Sequence, residues 1–140
     1  MAADTHTIAG LPASRFFAAV SAGIVIAIAS VYLPVVDFEF LEYDDKSYVF
    51  QNPDLQDGLT PKAARDVFTR SYVSSWHPVA MLSHALDVSL FGMDPGMHHL
   101  TNVLFHLANS LLVLLVWYRL TGRPIESAVL AVLWAIHPQH

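Results

Sequence analysis

The sequence contains no cysteine, which excludes disulfide frameworks, thiolate zinc sites and thiol chemistry and leaves no redox signal from which to read a compartment. Charge is also scarce: 14% of the 140 residues are charged, where an ordinary soluble domain carries about 25%. Seven basic residues stand against twelve acids, a formal net charge of −5, so no basic face is on offer to a phosphate backbone and nucleic acid is excluded as an expected partner. Internal repeats, low-complexity tracts and heptads are missing as well. Apolar residues make up 54% of the chain, with a mean hydropathy of +0.45, more than so short a chain can clothe as a soluble globule. Membrane residence, with lipid as a partner, is the first reading.

Two uncharged runs are long enough to cross a hydrocarbon core of about 30 Å. One spans residues 16–36; the other spans 99–118 and closes on Trp117 and Tyr118, an interfacial aromatic pair. A third run begins at Ser127 and is interrupted by His137 and Pro138, so 127–140 reads as the start of a third span. An alternative for the first run is a signal peptide with Ala27-Ile28-Ala29 as its cleavage site, but the apolar stretch continues to Val36, beyond the usual h-region. Arg15, Arg119 and Arg123 flank one side of the membrane and only Lys46 lies close on the other. The positive-inside rule therefore places 1–15 and the connection 119–126 in the cytoplasm and 37–98 outside it.

The 37–98 segment holds ten acids against Lys46, Lys62, Arg65 and Arg70. Thr60-Pro61 is a helix start, with a hydroxyl at the N-cap and proline at the first helical position. The spacing predicts an amphipathic helix from there to about Tyr72, with Ala64, Phe68, Tyr72 and Val67 on its apolar side. A second helix follows Pro78, with Leu82, Ala85, Leu86 and Leu90 on one face and Ser83, His84 and Asp87 on the other, ended by Gly92 and the turn Asp94-Pro95-Gly96. Both helices could lie along the membrane surface, or together form a small cap. The expected fold class is thus all-α: a polytopic membrane protein with two full spans, a third begun, and two surface helices in its extracytoplasmic loop.

Chemistry is expected in that loop. Asp37, Glu39, Glu42, Asp44 and Asp45 follow the first span directly, and a carboxylate held at that surface can act as a general base toward a hydroxyl or position a ligand. Asp44 and Asp45 form the sharper pair because Tyr43 and Tyr48 flank them and could exclude water. A solvated acidic loop is the plain alternative. On the second span, His99, Asn102, His106 and Asn109 fall at i, i+3, i+7 and i+10, one polar stripe that should line a cavity or pack on another helix. For metal ligation the spacings are poor: His98 and His99 are adjacent, Pro138 breaks the His137–His140 pair, and no H-E-x-x-H is present, so the sequence predicts no divalent metal.

Read in order, Tyr43-Asp44-Asp45, Asn52-Pro53, Gly58-Leu59-Thr60, Trp76-His77-Pro78, His98-His99-Leu100-Thr101-Asn102 with His106, and Ala135-Ile136-His137-Pro138-Gln139-His140 resemble the amino-terminal membrane part of the transmembrane and tetratricopeptide-repeat O-mannosyltransferases and their bacterial relatives, polytopic glycosyltransferases of the GT-C fold. The resemblance implies transfer of a sugar, mannose in this family, from a polyprenyl-phosphate donor to a protein hydroxyl with inversion. It implies no cofactor besides the lipid-linked sugar. It assigns the essential acidic motif to Asp44 and Asp45, one of them the base or acceptor-positioning group; His99, Asn102, His106 and His137 are the substrate-binding candidates, with His99 and His137 the best placed to stabilise a phosphate leaving group. Family members continue through further spans and a repeat array, so the chain reads as an amino-terminal fragment, expected to be inactive alone, of a bacterial inner-membrane enzyme with a periplasmic loop. The competing reading is a small non-enzymatic membrane protein whose loop binds a partner.

Overall fold

Among the described residues, four of the five α-helices begin at a proline, the residue whose fixed φ and missing N–H suit the first helical position. In the computed structural model, which describes residues 7–72 and 75–138, the elements are a hairpin of two-residue strands, β1 (Thr7–Ile8) and β2 (Leu11–Pro12), then α1 (Ala13–Tyr32), α2 (Pro61–Thr69), α3 (Pro78–Phe91), α4 (Pro95–Thr121) and α5 (Pro124–Ala135). A 3₁₀ turn, Leu33–Asp37, follows α1, and one turn of π-helix covers Lys46–Phe50. The chain is mostly helical as expected, and the hairpin is an addition that the reading of 1–15 as a plain terminus did not contain. Two stretches, Ala13–Asp37 and Pro95–Thr121, are long and apolar enough to cross a membrane. Gln139 and His140 lie outside the described residues.

The chain divides into two compact units, one of residues 1–34 with 102–140, the other of residues 35–101. In the first, Ile24 and Ile28 of α1 lie one helical turn apart and are buried together with Leu114 of α4 and Ala131 and Ala135 of α5. Ser127, Ala131 and Ala135 recur every four residues, so α5 presents a face of small side chains that admits α1 closely, the packing device typical of helices in lipid. The hydroxyls on these helices return their protons to their own backbones: Ser110 donates to the His106 carbonyl and Ser127 to that of Arg123. α5 begins three residues earlier than the third apolar run, because Pro124 starts a helix that the charge at Glu126 does not interrupt.

In the second unit α2 packs on α3 over a core of Leu55, Val67, Met81 and Ala85, edged by Tyr48, Tyr72 and Leu82. Thr60 caps α2 as predicted, its hydroxyl accepting the Ala63 N–H at 3.0 Å. Two details of the sequence reading change. The buried face of α2 is Ala63 and Val67 rather than Ala64 and Phe68, which is exposed, and the helix stops at Thr69 because Tyr72 turns away to pair with Ser75. On α3 the buried residues are Pro78, Met81, Ala85 and Asp87, whereas Leu86 and Leu90 are exposed. The assumed apolar face is therefore rotated, and Asp87 faces inward because it has a hydroxyl partner there, described below. Gly92, at φ 70°, closes α3, and Asp94 opens α4 by accepting the Met97 N–H at 3.0 Å, so the predicted turn is also the start of the longest helix.

The motif residues Asn52 and Gly58 are structural. Asn52, buried, donates to the Tyr48 carbonyl and accepts the Asp54 N–H, an Asx turn that holds the loop before α2. Gly58 (φ 70°) lies hard against the Ser89 hydroxyl, which accepts the Leu59 N–H at 2.7 Å; a β-carbon would collide there.

Asp54 is the electrostatic tie at this end of the unit. Its carboxylate accepts from Arg70 (3.2 Å to each oxygen) and from the Tyr72 hydroxyl (3.1 Å), with the Lys62 ammonium 3.7 Å away. Burial, and then that hydrogen bond, push the Tyr72 phenol up to about 12. Since the folded value lies above the ordinary one of 10.0, the stabilisation is complete below pH 10 and is lost as the pH rises through 12. Thermal unfolding followed by circular dichroism in detergent should therefore show a base-labile component between those values, absent from Tyr72→Phe. At neutral pH Asp54→Asn should cost about 1–2 kcal/mol, from the weakened bonds of a charged acceptor.

Candidate functional site

α3 and the first turn of α4 bring two histidines and a carboxylate together beside the acidic loop. His84 and Asp87, three residues apart on α3, share a face, and His98 comes to meet them from α4. The His84 and His98 Nδ1 atoms face each other at 3.2 Å, with the rings nearly parallel. Asp87 and His98 are 3% and 2% exposed, burial that a charged and a polar side chain tolerate only with partners. Asp87 Oδ1 accepts the Thr101 hydroxyl at 2.7 Å, and Oδ2 stands 3.7 Å from His98 Nδ1. The far nitrogen of His98, Nε2, lies 3.3 Å from the Gly92 carbonyl, an acceptor only, so this nitrogen carries the proton. One potential ligand atom from each of His84, Asp87 and His98 lies within 4.8 Å of the other two.

Aromatic rings close the cluster. Phe40 stacks on Phe50 and meets His98 edge-on at 5.4 Å and His99 at 6.2 Å, while Tyr48 lies 4.9 Å from the His77 ring. The His84 imidazole is held below its ordinary range, by burial first and by the neighbouring His98 second, with the negative charges of Asp87 and Asp45 opposing them. Asp45 thus acts electrostatically on the same cluster.

The predicted acidic pair separates. Asp45 is half-buried and its Oδ2 accepts the Leu41 N–H at 2.9 Å, which fixes the carboxylate and leaves Oδ1 for another donor; Asp44 is exposed. Tyr43 is 83% exposed and shields neither, a correction to the expected aromatic wall, since the chain turns there and directs its ring outward; Tyr48, by contrast, is half-buried. The polar stripe of α4 also divides. His99 belongs with the loop unit, against Phe40, and its Nε2 is buried with no hydrogen-bond partner among the described residues. In the helical unit His106 Nε2 meets the Ala135 carbonyl at 2.9 Å and its ring packs on Tyr32 at 5.0 Å. There too, the His137 carbonyl accepts the Tyr32 hydroxyl, Asn102 is exposed, and Asn109 lines an apolar cleft of about 340 Å³ with Trp117 and Trp134.

Linear spacing missed His84, Asp87 and His98 as a group. The available signal was a His-x-x-Asp on one helix, followed by a Gly-x-Asp-Pro-Gly turn that brings the next helix back with a histidine in its first turn.

No protein-family model and no solved structure matches the chain. It is 34% identical over 118 residues to protein O-mannosyl-transferase Tmtc1 of Drosophila melanogaster. The likeness is to an O-mannosyl-transferase. It covers 79% of this chain and 14% of Tmtc1, so the chain spans about one seventh of that relative's length. A share that large necessarily includes the middle of the chain, and with it Asp44, Asp45, His84, Asp87, His98 and His99.

The Thr101–Asp87 bond is what allows a carboxylate on the inner face of α3. Thr101→Val, close in shape, should lower stability by about 1–3 kcal/mol by leaving a buried carboxylate oxygen without its donor, and Thr101→Ser should restore most of it. Thermal unfolding of the three proteins in the same detergent measures the difference.

Proposed function

We propose that the chain supplies the acidic-motif segment of an integral-membrane glycosyltransferase of the GT-C type, which moves mannose from a polyprenyl-phosphate donor to a serine or threonine hydroxyl of a protein. The likeness to Tmtc1 across the middle of the chain carries this reading. The two membrane-length helices and the half-buried Asp45 beside a histidine-rich surface support it. In this proposal Asp45 is the base. Its Oδ1, unengaged by Leu41, takes the hydroxyl proton as the acceptor oxygen bonds to the anomeric carbon, and the bond from that carbon to the phosphate oxygen breaks with its electron pair leaving on the polyprenyl phosphate. Negative charge develops on the departing phosphate, and His99 Nε2 is the buried, unsatisfied group available to donate to it. Asn102, His106 and His137 keep the donor-binding role that the resemblance implies, as part of the same proposal. The loop 37–98 faces away from the cytoplasm, toward the periplasm if the host membrane is a bacterial inner membrane.

Two experiments test it. The sequence has no cysteine, so Asp57→Cys and Thr121→Cys each introduce a single thiol; an impermeant maleimide should label the first from the extracytoplasmic side and the second only after permeabilisation. Labelling of both from one side would overturn the topology. For the chemistry, this chain replaces the matching segment of Tmtc1 and transfer of mannose from the polyprenyl-phosphate donor to a serine/threonine peptide is followed. Asp45→Asn should lower turnover by about 10² to 10⁴ at near-normal protein level, the range of a lost general base, and Asp44→Asn should cost less. Unchanged turnover in both single variants and in the double variant would return the pair to the status of a solvated loop.

A further inference from the structure

We propose that His84, Asp87 and His98 form a binding site for a divalent transition-metal ion with the ligand preferences of zinc. The geometry carries this. Ligand bonds of about 2.0–2.1 Å in tetrahedral array set neighbouring ligand atoms about 3.3–3.4 Å apart. The His84 Nδ1 to His98 Nδ1 separation of 3.2 Å and the His98 Nδ1 to Asp87 Oδ2 separation of 3.7 Å bracket that edge. The second distance is too long for a hydrogen bond; it is the spacing of two atoms that face a common third atom.

The outer contacts point the same way. A metal-bound histidine donates its other ring N–H to a carbonyl or carboxylate, and a metal-bound carboxylate has its remaining oxygen hydrogen-bonded. His98 Nε2 meets the Gly92 carbonyl, which leaves Nδ1 with a bare lone pair in the neutral ring. Thr101 occupies Asp87 Oδ1 and so turns Oδ2 toward the histidines. Without an ion, His84 Nδ1–H donates to His98 Nδ1; with one, His84 takes its Nε2–H tautomer, Nδ1 giving its proton to solvent as Nε2 gains one, and both Nδ1 lone pairs point at the metal. The hydrogen bonds around the three side chains are thus those of a set already oriented for ligation.

The donor set selects the ion. Two imidazole nitrogens and one carboxylate suit zinc or cobalt and are too poor in oxygen for magnesium or calcium. Three protein ligands leave a fourth tetrahedral position open, and His84, half-buried where the other two are buried, marks the side on which water or an anion would complete it. A single carboxylate leaves the bound ion with net positive charge, so the open position prefers an anionic oxygen. The site stands independently of the glycosyl-transfer reading, since it needs only these three residues.

The test uses the full chain, produced without a polyhistidine tag, purified in detergent, stripped with chelator and titrated near neutral pH with Zn²⁺ by calorimetry and with Co²⁺ by visible absorption. One equivalent of each should bind at micromolar affinity or tighter, with intense Co²⁺ ligand-field bands of a four-coordinate site. His84→Gln, at the most accessible ligand, and Asp87→Asn should each weaken binding by about 10²-fold or more and remove those bands, with helix content unchanged by circular dichroism; if Asp87→Asn fails to fold, His84→Gln decides. Absence of a saturable equivalent in the parent chain, or wild-type affinity and spectrum in His84→Gln, overturns the proposal.

Discussion

A buried carboxylate on an apolar helix is costly, and in this protein the cost is offset at one point: Asp87 on α3, held by the Thr101 hydroxyl and faced by His98, both from α4. Because Asp87 must point inward to reach those partners, it sets the rotation of α3, which turns Met81 and Ala85 into the core and leaves Leu86 and Leu90 outside. That rotation in turn brings His84 against His98 and places His84 in reach of the field of Asp45. The acidic loop, the histidine cluster and the start of α4 therefore depend on one charge being satisfied. Where hydrophobic patterning and the satisfaction of a buried charge disagree on α3, the charge prevails, since an unpaired buried carboxylate costs more than burying a leucine gains.

Much of the fold can be read from the order of residues. The apolar runs locate α1 and α4, and Thr60-Pro61 and Pro78 open α2 and α3 as their capping chemistry requires. The same logic extends α4 and α5 beyond the apolar runs, because Pro95 and Pro124 also stand at first helical positions; treating the first as a turn and the second as part of a connection stopped short of the rule. Side-chain facing was harder to read. On α2 the expected apolar side held Ala64, Phe68, Tyr72 and Val67, and contact with α3 selects Val67 together with Ala63 as the buried face. The site was legible in part. The acidic motif announced itself by position, but the unequal burial of Asp44 and Asp45 follows from the Leu41 backbone bond, and no spacing rule predicts a ligand set drawn from two helices that a turn brings face to face.

The two halves of the polar stripe on α4 illustrate how one pattern serves two purposes. A polar residue every three or four positions says only that this line of the helix avoids lipid. In the helical unit His106 is bonded to the end of α5 and meets Tyr32 edge-on, both contacts that fix helices to each other, while Asn102 and Asn109 stay exposed. In the loop unit His98 and His99, one residue apart, differ completely: one is engaged at both ring nitrogens, while the other retains a buried nitrogen with no hydrogen-bond partner among the described residues. Spare hydrogen-bonding capacity, more than polarity, separates a residue that holds structure from one able to meet a substrate.

Gly96 has a consequence for the loop as a whole. It lies so close to the Val36 carbonyl that no β-carbon fits, which means that the chain enters and leaves the 35–101 unit at nearly the same place. A segment whose ends touch makes few demands on what it joins. Its interior can lengthen or shorten at an entropic cost that grows only slowly with length. The glycine thus ties the two ends of the segment together and leaves freedom of length to the chain between them.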